Sequence, residues 1–145
     1  MSVCLASALS ASASQGSGAG GHEAVVLVFT DTSSTSCTLQ GYPTSAWFIA
    51  NGTRLPATVT QQVEAPGAIV MVTLSPSQKA ATTVWTDNTG VPPASYCDPV
   101  TTNQVAVQLP GTEGTVTAPV VLSVCSTNNN IGTTPITSGT TESPM

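Results

Sequence analysis

Charged side chains are scarce in this sequence, and bases are almost missing. Arg54 and Lys79 are the only bases among 145 residues, against seven acids, so the formal net charge is -5. A nucleic-acid-binding surface needs several Lys or Arg side chains for phosphate contacts, and a membrane-surface helix needs a basic face. The composition therefore argues against both functions, and neutral Thr, Ser, Asn and Gln must form most of the solvent-facing surface.

Long apolar runs are also missing. A membrane-spanning helix needs about 20 consecutive apolar residues, and no run in the sequence approaches that length. The first residues lack the basic segment that begins a signal peptide, so we expect that a signal peptide was trimmed and that Met1 was added. The sequence predicts no membrane span in this chain.

Short segments rich in Val and Thr alternate with turn residues along most of the chain. β-Branched residues favour strands, and no segment shows the apolar period of a helix. The extended segments lie at 4–14, 23–30, 36–39, 46–50, 53–55, 58–63, 69–74, 80–86, 104–109 and 119–125. This pattern predicts an all-β fold, an immunoglobulin-like β-sandwich of about seven to nine short, mostly antiparallel strands. A closed barrel is the alternative.

The composition changes near residue 126. We predict one sandwich domain over residues 1–126 and a flexible tail over residues 127–145, because Thr, Ser, Asn, Gly and Pro dominate the last segment. Ile131 and Ile136 are isolated there and form no strand pattern.

The four cysteines, Cys4, Cys37, Cys97 and Cys125, are even in number and widely spaced. Their spacing lacks the close pairs of a zinc site. We predict disulfides, because a low-charge β domain fits an oxidising compartment; the alternative is four free, buried thiols in a cytosolic protein. Three disulfide pairings are possible. We favour Cys4–Cys37 and Cys97–Cys125, because each bridge then joins neighbouring segments, and each would contribute about 3–4 kcal/mol in the chain-entropy model.

Catalytic and metal-binding residue patterns are weak. His22 is the only histidine, and we expect it to have a structural role beside the Gly-rich loop. Most acids sit at turns, where a carboxylate bonds nearby backbone, and the segment 87–90 is predicted as such a turn. We therefore predict no catalytic residues, no metal and no cofactor. A hydrolase that uses a carboxylate pair is the least favoured alternative.

The aromatic residues suggest one candidate ligand-contact surface. Phe29 and Trp85 lie in apolar segments and are expected in the core. Trp47 and Phe48 are adjacent in a strand and must point to opposite faces. Trp47 and the nearby Tyr42 could form a platform that stacks on sugars or grips a peptide. The alternative is that Trp47 is core and Tyr42 anchors its loop.

Several motifs together resemble a known family. They are Gly21-His22, Phe29-Thr30-Asp31-Thr32-Ser33, Ser36-Cys37-Thr38-Leu39-Gln40-Gly41-Tyr42-Pro43, Leu74-Ser75-Pro76, Ala80-Ala81 and Trp85, followed by Cys97 and Cys125. Over residues 4–126 the chain is similar to the actinobacterial exported family called domain of unknown function 4232. The chain departs from that family in having Asp31 in place of Asn and Thr44 where Gly is frequent.

The resemblance implies a secreted or cell-envelope-attached domain of mycobacteria, streptomycetes and related bacteria. The family has no established activity, so it contributes no catalytic residue. The expected function is a non-catalytic binding or structural domain of the cell envelope, whose partner is an envelope protein or glycan. The alternative is a carbohydrate-binding module that uses Tyr42 and Trp47.

Overall fold

The computed structural model describes residues 1–16, 21–61, 69–90 and 92–142 of the chain. Within these ranges it contains twelve strands, a 3₁₀ turn at Ala6–Ala8 and a one-turn helix, α1, at Ala94–Cys97. The strands are β1 (Leu9–Gln15), β2 (His22–Asp31), β3 (Cys37–Gln40), β4 (Ser45–Ala50), β5 (Thr53–Arg54), β6 (Thr58–Gln61), β7 (Met71–Leu74), β8 (Lys79–Asp87), β9 (Pro99–Gln108), β10 (Thr115–Cys125), β11 (Asn130–Thr133) and β12 (Thr137–Ser138). The prediction of an all-β sandwich is confirmed, while the immunoglobulin-like topology stays a prediction.

β2 and β8 form the centre of a six-stranded sheet. They pair antiparallel, from His22 opposite Asp87 to Thr30 opposite Lys79. The order across the sheet is β1-β2-β8-β11-β6, and β12 also pairs with β8. β2 is rich in Val and buried along most of its length, as expected for a strand covered on both faces. β11 pairs antiparallel with β8 but parallel with β6.

The second sheet has four strands in the order β10-β9-β4-β5, and β3 pairs with β7 in a separate two-stranded sheet. Alternate residues of the large sheets point into one shared core. Val25, Leu27 and Phe29 of β2 meet Phe48 of β4 and Val105 of β9 in that core, and all five are fully buried. The expectation that Phe29 is a core residue is thus confirmed.

The cysteines form the two favoured disulfides, Cys4–Cys37 and Cys97–Cys125, and none is free. The first bridge holds the N-terminal segment against β3, where the Cys4 backbone N–H donates to the Thr38 carbonyl at 2.9 Å. The second bridge ties α1 to the end of β10.

The prediction of a flexible tail from residue 127 is wrong for the described residues 127–142. β11 and β12 both pair with β8 in the six-stranded sheet. Ile131 and Ile136 are buried in the core, with exposed fractions of 1% and 0%. These two side chains supply apolar surface that their polar neighbours lack, and the pairing with β8 satisfies the backbone. Residues 143–145 of the predicted tail lie outside the described residues.

Helical structure in the described ranges is limited to α1 and the 3₁₀ turn. Neither is long and apolar enough to cross a membrane. α1 is absent from the sequence prediction, because a single helical turn has no apolar period to detect.

Candidate functional site

The start of β2 and the end of β8 bring together two polar side chains, those of His22 and Asp87. His22 lies directly opposite Asp87 in the ladder. The His22 Nε2 atom is 3.5 Å from Asp87 Oδ1, and the two side chains are 34% and 28% exposed. The structural role expected of His22 stays a prediction, and the structure shows its ring as the partly exposed neighbour of a carboxylate.

Asn130, the first residue of β11, holds the same carboxylate from the other side. Its Nδ2 donates to Asp87 Oδ2 at 3.2 Å and to the Asn128 carbonyl at 3.4 Å. Asn128 has a positive φ of 54°, which Asn tolerates better than most residues. The Asn128 side-chain amide in turn donates to the Tyr96 carbonyl at 2.8 Å. A continuous chain of contacts thus runs from His22 to Tyr96.

The Cys97–Cys125 disulfide fixes the far end of this chain of contacts. It joins α1, which carries Tyr96, to the strand that leads into the Asn-rich loop. The Thr127 hydroxyl adds a second hydrogen bond to the Tyr96 carbonyl at 2.8 Å. The Tyr96 side chain itself is 51% exposed. We call the five residues His22, Asp87, Tyr96, Asn128 and Asn130 the polar end of the sandwich.

A small cavity of about 130 Å³ opens at the polar end. Its lining residues are His22, Thr60, Trp85, Asp87, Asn130, Ile131 and Gly132. The prediction that Trp85 is buried is confirmed, since it is 4% exposed. Its side chain nevertheless points to the face of β8 opposite Val84, outside the core cluster that contains Val84. Both Trp85 Nε1 and His22 Nδ1 are buried without a hydrogen-bond partner. We call this space the indole cavity.

A second cavity of about 270 Å³ adjoins the polar end on the β6 side. Pro56, Ala57, Thr58, Asn128 and Asn129 line it. Asn129 is 2% exposed, and its Oδ1 accepts a hydrogen bond from the Thr86 hydroxyl at 2.9 Å. Its Nδ2 has no partner. Two residues that line these cavities, Trp85 and Asn129, thus each have an N–H group that is buried without an acceptor.

Glu23 follows His22 in β2 and lies opposite Thr86. Burial desolvates its carboxylate and raises the pKa of Glu23 above the ordinary value of 4.5. Its Oε2 atom has no hydrogen-bond partner. Glu23 is thus a partly buried acid whose charged form is disfavoured, on the core side of the strand that carries His22.

The chemical capacity of the polar end is hydrogen bonding rather than charge recognition. Neither base lies there, because Arg54 stacks on Trp47 and Lys79 bonds Thr30 at the opposite end of β8. Among the residues that the structure describes, no group of three or more His, Cys, Asp and Glu side chains could hold a metal ion. Amide and hydroxyl groups remain to contact a ligand.

The two aromatic residues named from the sequence lie elsewhere. Tyr42 is half-buried in the loop between β3 and β4. Trp47 is half-buried on β4, on the face opposite the core residue Phe48, as the alternation predicts. The Arg54 guanidinium carbon lies 3.8 Å from the centroid of the Trp47 ring. One face of that ring is therefore already covered by a cation, and a shared platform of Tyr42 and Trp47 stays a prediction.

Sequence reasoning missed Tyr96, Asn128 and Asn130 as candidate contact residues. One local signal was present, because the run Asn128-Asn129-Asn130 lies in a segment with little apolar content, and Asn favours turns with positive φ. The grouping of His22 with Asp87 had no local signal. It depends on the register of two strands that are far apart in the sequence.

Of three comparisons with known proteins, one gives a match. The sequence model of the family described as Domain of unknown function (DUF4232) matches residues 4–141. No curated protein and no solved structure shows significant similarity to the chain. The matched range includes β11 and β12, the strands beyond the boundary predicted at residue 126.

Proposed function

Because the chain belongs to the family Domain of unknown function (DUF4232), whose description supplies no activity, we propose a function from the geometry. The protein is an extracytoplasmic, non-catalytic binding domain, and the polar end is its ligand-contact surface. Its partner is a component of the cell envelope, either a protein or a glycan.

The observation that carries this proposal is the chain of polar contacts from His22 to the backbone carbonyl of Tyr96. It links the start of β2, the end of β8, α1 and the loop before β11 into one arrangement. Binding surfaces are commonly built from loops that a rigid sandwich positions, because a fixed geometry reduces the entropy lost when a ligand binds. An exposed Tyr at its margin adds the residue type that is enriched in binding hot spots.

The disulfides support the extracytoplasmic part of the proposal. All four cysteines are paired, and such bridges form and persist in oxidising compartments. The shortage of charge supports a neutral partner, because two bases cannot supply the contacts that a polyanion requires.

Carbohydrate binding is the second candidate function. It is favoured by the exposed side chain of Tyr96 and by the Asn128 amide, which bonds the backbone carbonyl of the same residue. Sugars are bound by aromatic rings that pack on their apolar faces and by amides that bond their hydroxyl groups. This candidate places the contact surface at the polar end rather than at Tyr42 and Trp47.

A co-sedimentation experiment tests the proposal. The oxidised protein is mixed with isolated bacterial cell envelopes, and the bound fraction is measured for wild type, Tyr96→Ala and Arg54→Gln. Tyr96 is exposed, so its truncation leaves the core intact, and we expect at least about a fivefold loss of apparent affinity. Arg54→Gln alters the Trp47 face and serves as the matched control, with retention equal to wild type.

Each other result contradicts a stated part of the proposal. Loss with Arg54→Gln alone would move the contact surface to the Trp47 face, and equal retention of all three proteins would exclude the polar end. Protease-treated envelopes separate a glycan partner from a protein partner. Release of soluble sugar or peptide products by the wild type, but not by His22→Gln, would show that the domain is a hydrolase.

A further inference from the structure

β7 forms a free edge of the two-stranded sheet. In the part of the chain that the structure describes, β3 is its only ladder partner. The other side of β3 is covered by the N-terminal segment, where Val3 bridges Thr38. Val72 and Leu74 belong to the core and are 3% and 1% exposed, whereas Met71 is 62% exposed. Core packing therefore holds β7 in place from the inside, while its outer side faces solvent.

Hydrogen bonds of β3 fix which backbone groups of β7 point to this edge. The Thr38 N–H donates to the Ser2 carbonyl, and the Thr38 carbonyl accepts from the Cys4 N–H, both at 2.9 Å. Thr38 thus directs its backbone groups away from β7, although it lies opposite Thr73 in the ladder. Because bonded and non-bonded pairs alternate in an antiparallel ladder, Thr73 and Met71 direct their N–H and C=O groups to the free edge. Within the described ranges, no other backbone group bonds them.

The edge borders open space. Thr73 and Leu74 line a cavity of about 420 Å³, together with the turn before β8 and the residues at the end of β12. The Thr73 side chain is exposed. A strand that approaches from solvent can therefore reach the outward N–H and C=O groups of β7.

The sequence of this edge lacks the features that keep edge strands apart. Ile69 and Val70 precede β7 and are 53% and 46% exposed. The segment 69–74 contains no charged residue, no Pro and no Gly. The edges of the four-stranded sheet differ, since β5 carries Arg54, and β10 carries Pro119 and a shift of register after it. An exposed apolar edge without such protection is a template for pairing with another strand.

We propose that β7 is a dimerisation edge, on which β7 of a second copy of this chain pairs antiparallel about a two-fold axis at Val72. In this register Met71 of each copy lies opposite Thr73 of the other, and every outward N–H and C=O group of these residues gains a partner. The same surface is used on both copies, and pairing stops at the dimer because the other side of each β3 is already covered.

Charge favours a second copy as the occupant of the edge. The acids that give each chain a net charge of -5 all lie outside segment 69–74, so no like charges meet along the paired strands. Apolar side chains of one copy instead meet those of the other, because Val70 of each copy lies opposite Leu74 of its partner in this register.

Dimerisation leaves both ligand-contact surfaces free. β7 leads into Lys79 at one end of β8, whereas the polar end surrounds Asp87 at the other end. A dimer therefore presents two polar ends, and two linked binding sites raise the apparent affinity for a surface that repeats the ligand. The inference goes beyond the proposed function and does not depend on it.

The oligomeric state of the oxidised protein tests the proposal. Sedimentation velocity is measured over a range of concentrations up to about 1 mM, the weak end of specific association. We expect a monomer–dimer equilibrium that added salt tightens, because salt screens the repulsion between two chains of net charge -5. A monomer throughout the range, growth beyond the dimer, or a dimer that salt dissociates would each overturn the proposal.

Two variants change the edge itself. Thr73→Pro removes an outward N–H from each copy but no hydrogen bond to β3, so the dimer should dissociate at least about tenfold more readily. Met71→Lys places a cation on the edge and should weaken the dimer by at least about tenfold as well. Met71 is 62% exposed, so this variant tests the edge even where Thr73→Pro fails to fold. Val121→Lys is the matched control, because Val121 is 73% exposed on β10 and should not affect the dimer.

Hydrogen exchange locates the contact. The N–H groups of Met71 and Thr73 should exchange at least about tenfold more slowly in a concentrated sample than in a dilute one. The N–H groups of Val72 and Leu74 bond β3 in both states and should show no such change. Exchange at Met71 and Thr73 that does not depend on concentration would place the dimer contact elsewhere and overturn the proposal. An unchanged dimer in Met71→Lys, or an equal loss in Val121→Lys, would do the same.

Discussion

Arg54 lies over the ring of Trp47, with its guanidinium carbon 3.8 Å from the ring centroid. The two residues belong to adjacent strands, since Arg54 pairs with Ile49 on the strand that carries Trp47. One of only two bases in the chain thus covers one face of the Trp47 ring, and this contact explains how a half-buried Trp is accommodated outside the core.

Replacement of Arg54 by Gln should expose the Trp47 ring. A cation over an exposed aromatic ring contributes about 0.5–1 kcal/mol, so we expect a loss of stability of that size and stronger quenching of fluorescence by acrylamide. Trp85 is 4% exposed and should contribute little to quenching in either protein. Unchanged quenching would show that the guanidinium does not cover the ring in solution.

The Cys97–Cys125 disulfide should stabilise the fold and also hold the residues of the polar end in place. Replacing both cysteines with Ser should lower the free energy of unfolding by about 3–4 kcal/mol, because the unfolded chain gains freedom. The Cys4–Cys37 double variant is the matched control, with a similar loss. Only the first variant should increase hydrogen exchange at Asn128 and Asn130, and equal exchange in both would contradict the role assigned to this bridge.

The cysteine pairing itself can be counted. Alkylation of the protein in denaturant, without a reducing agent, should add no label to the intact mass, since both bridges protect all four thiols. A sample expressed in an oxidising compartment controls for oxidation during purification. Four labels in that sample would contradict the disulfides and remove the main support for an extracytoplasmic location.

Truncation of Ile136 should destabilise the fold. Ile136 is fully buried, and Ile→Ala in a core costs about 2–5 kcal/mol. Val121 is 73% exposed, so Val121→Ala should change the free energy of unfolding by no more than about 0.5 kcal/mol. Urea unfolding measures both. If Ile136→Ala destabilised the protein as little as Val121→Ala, the segment after residue 126 would be a flexible tail in solution.

Glu23 should make stability depend on pH. Burial raises its pKa above the ordinary value of 4.5, so the folded state binds this proton more tightly than the unfolded state. The stabilisation that the folded state gains from binding the Glu23 proton is fully present below the ordinary pKa. It is lost as the pH rises through the raised pKa of the folded state. Glu23→Gln should therefore gain stability relative to wild type as the pH increases from about 4 to 7. A difference between the proteins that does not change with pH would contradict this.

The parts of the fold that follow local patterns could be predicted from the sequence. β2 is a run of apolar β-branched residues, and the opposite facing of Trp47 and Phe48 follows from strand geometry alone. β11 could not be predicted, because Thr133 is polar yet fully buried, and its burial depends on pairing with β8. Tertiary pairing overrides local composition in that segment.

Only separate residues of the polar end could be predicted from the sequence, and not their arrangement. His22 and Asp87 were each noticed and each given a structural role, but nothing local indicates that they face one another. The exposure of Tyr96 depends on α1, a single turn stabilised by a disulfide rather than by its own sequence. A site that is assembled by pairing between distant strands cannot be predicted from composition and residue spacing.

The position of β11 between β8 and β6 affects the order of folding. In the described sheet β6 is joined only through β11, although β6 precedes it in the chain by many residues. A nascent chain synthesised as far as β10 can pair β1, β2 and β8, but β6 has no neighbour and one edge of β8 is open. Such non-local closure makes folding slow. Slow closure would keep the chain unfolded until late in its synthesis, and the proposed extracytoplasmic location would benefit from this, because a translocation channel passes an unfolded chain.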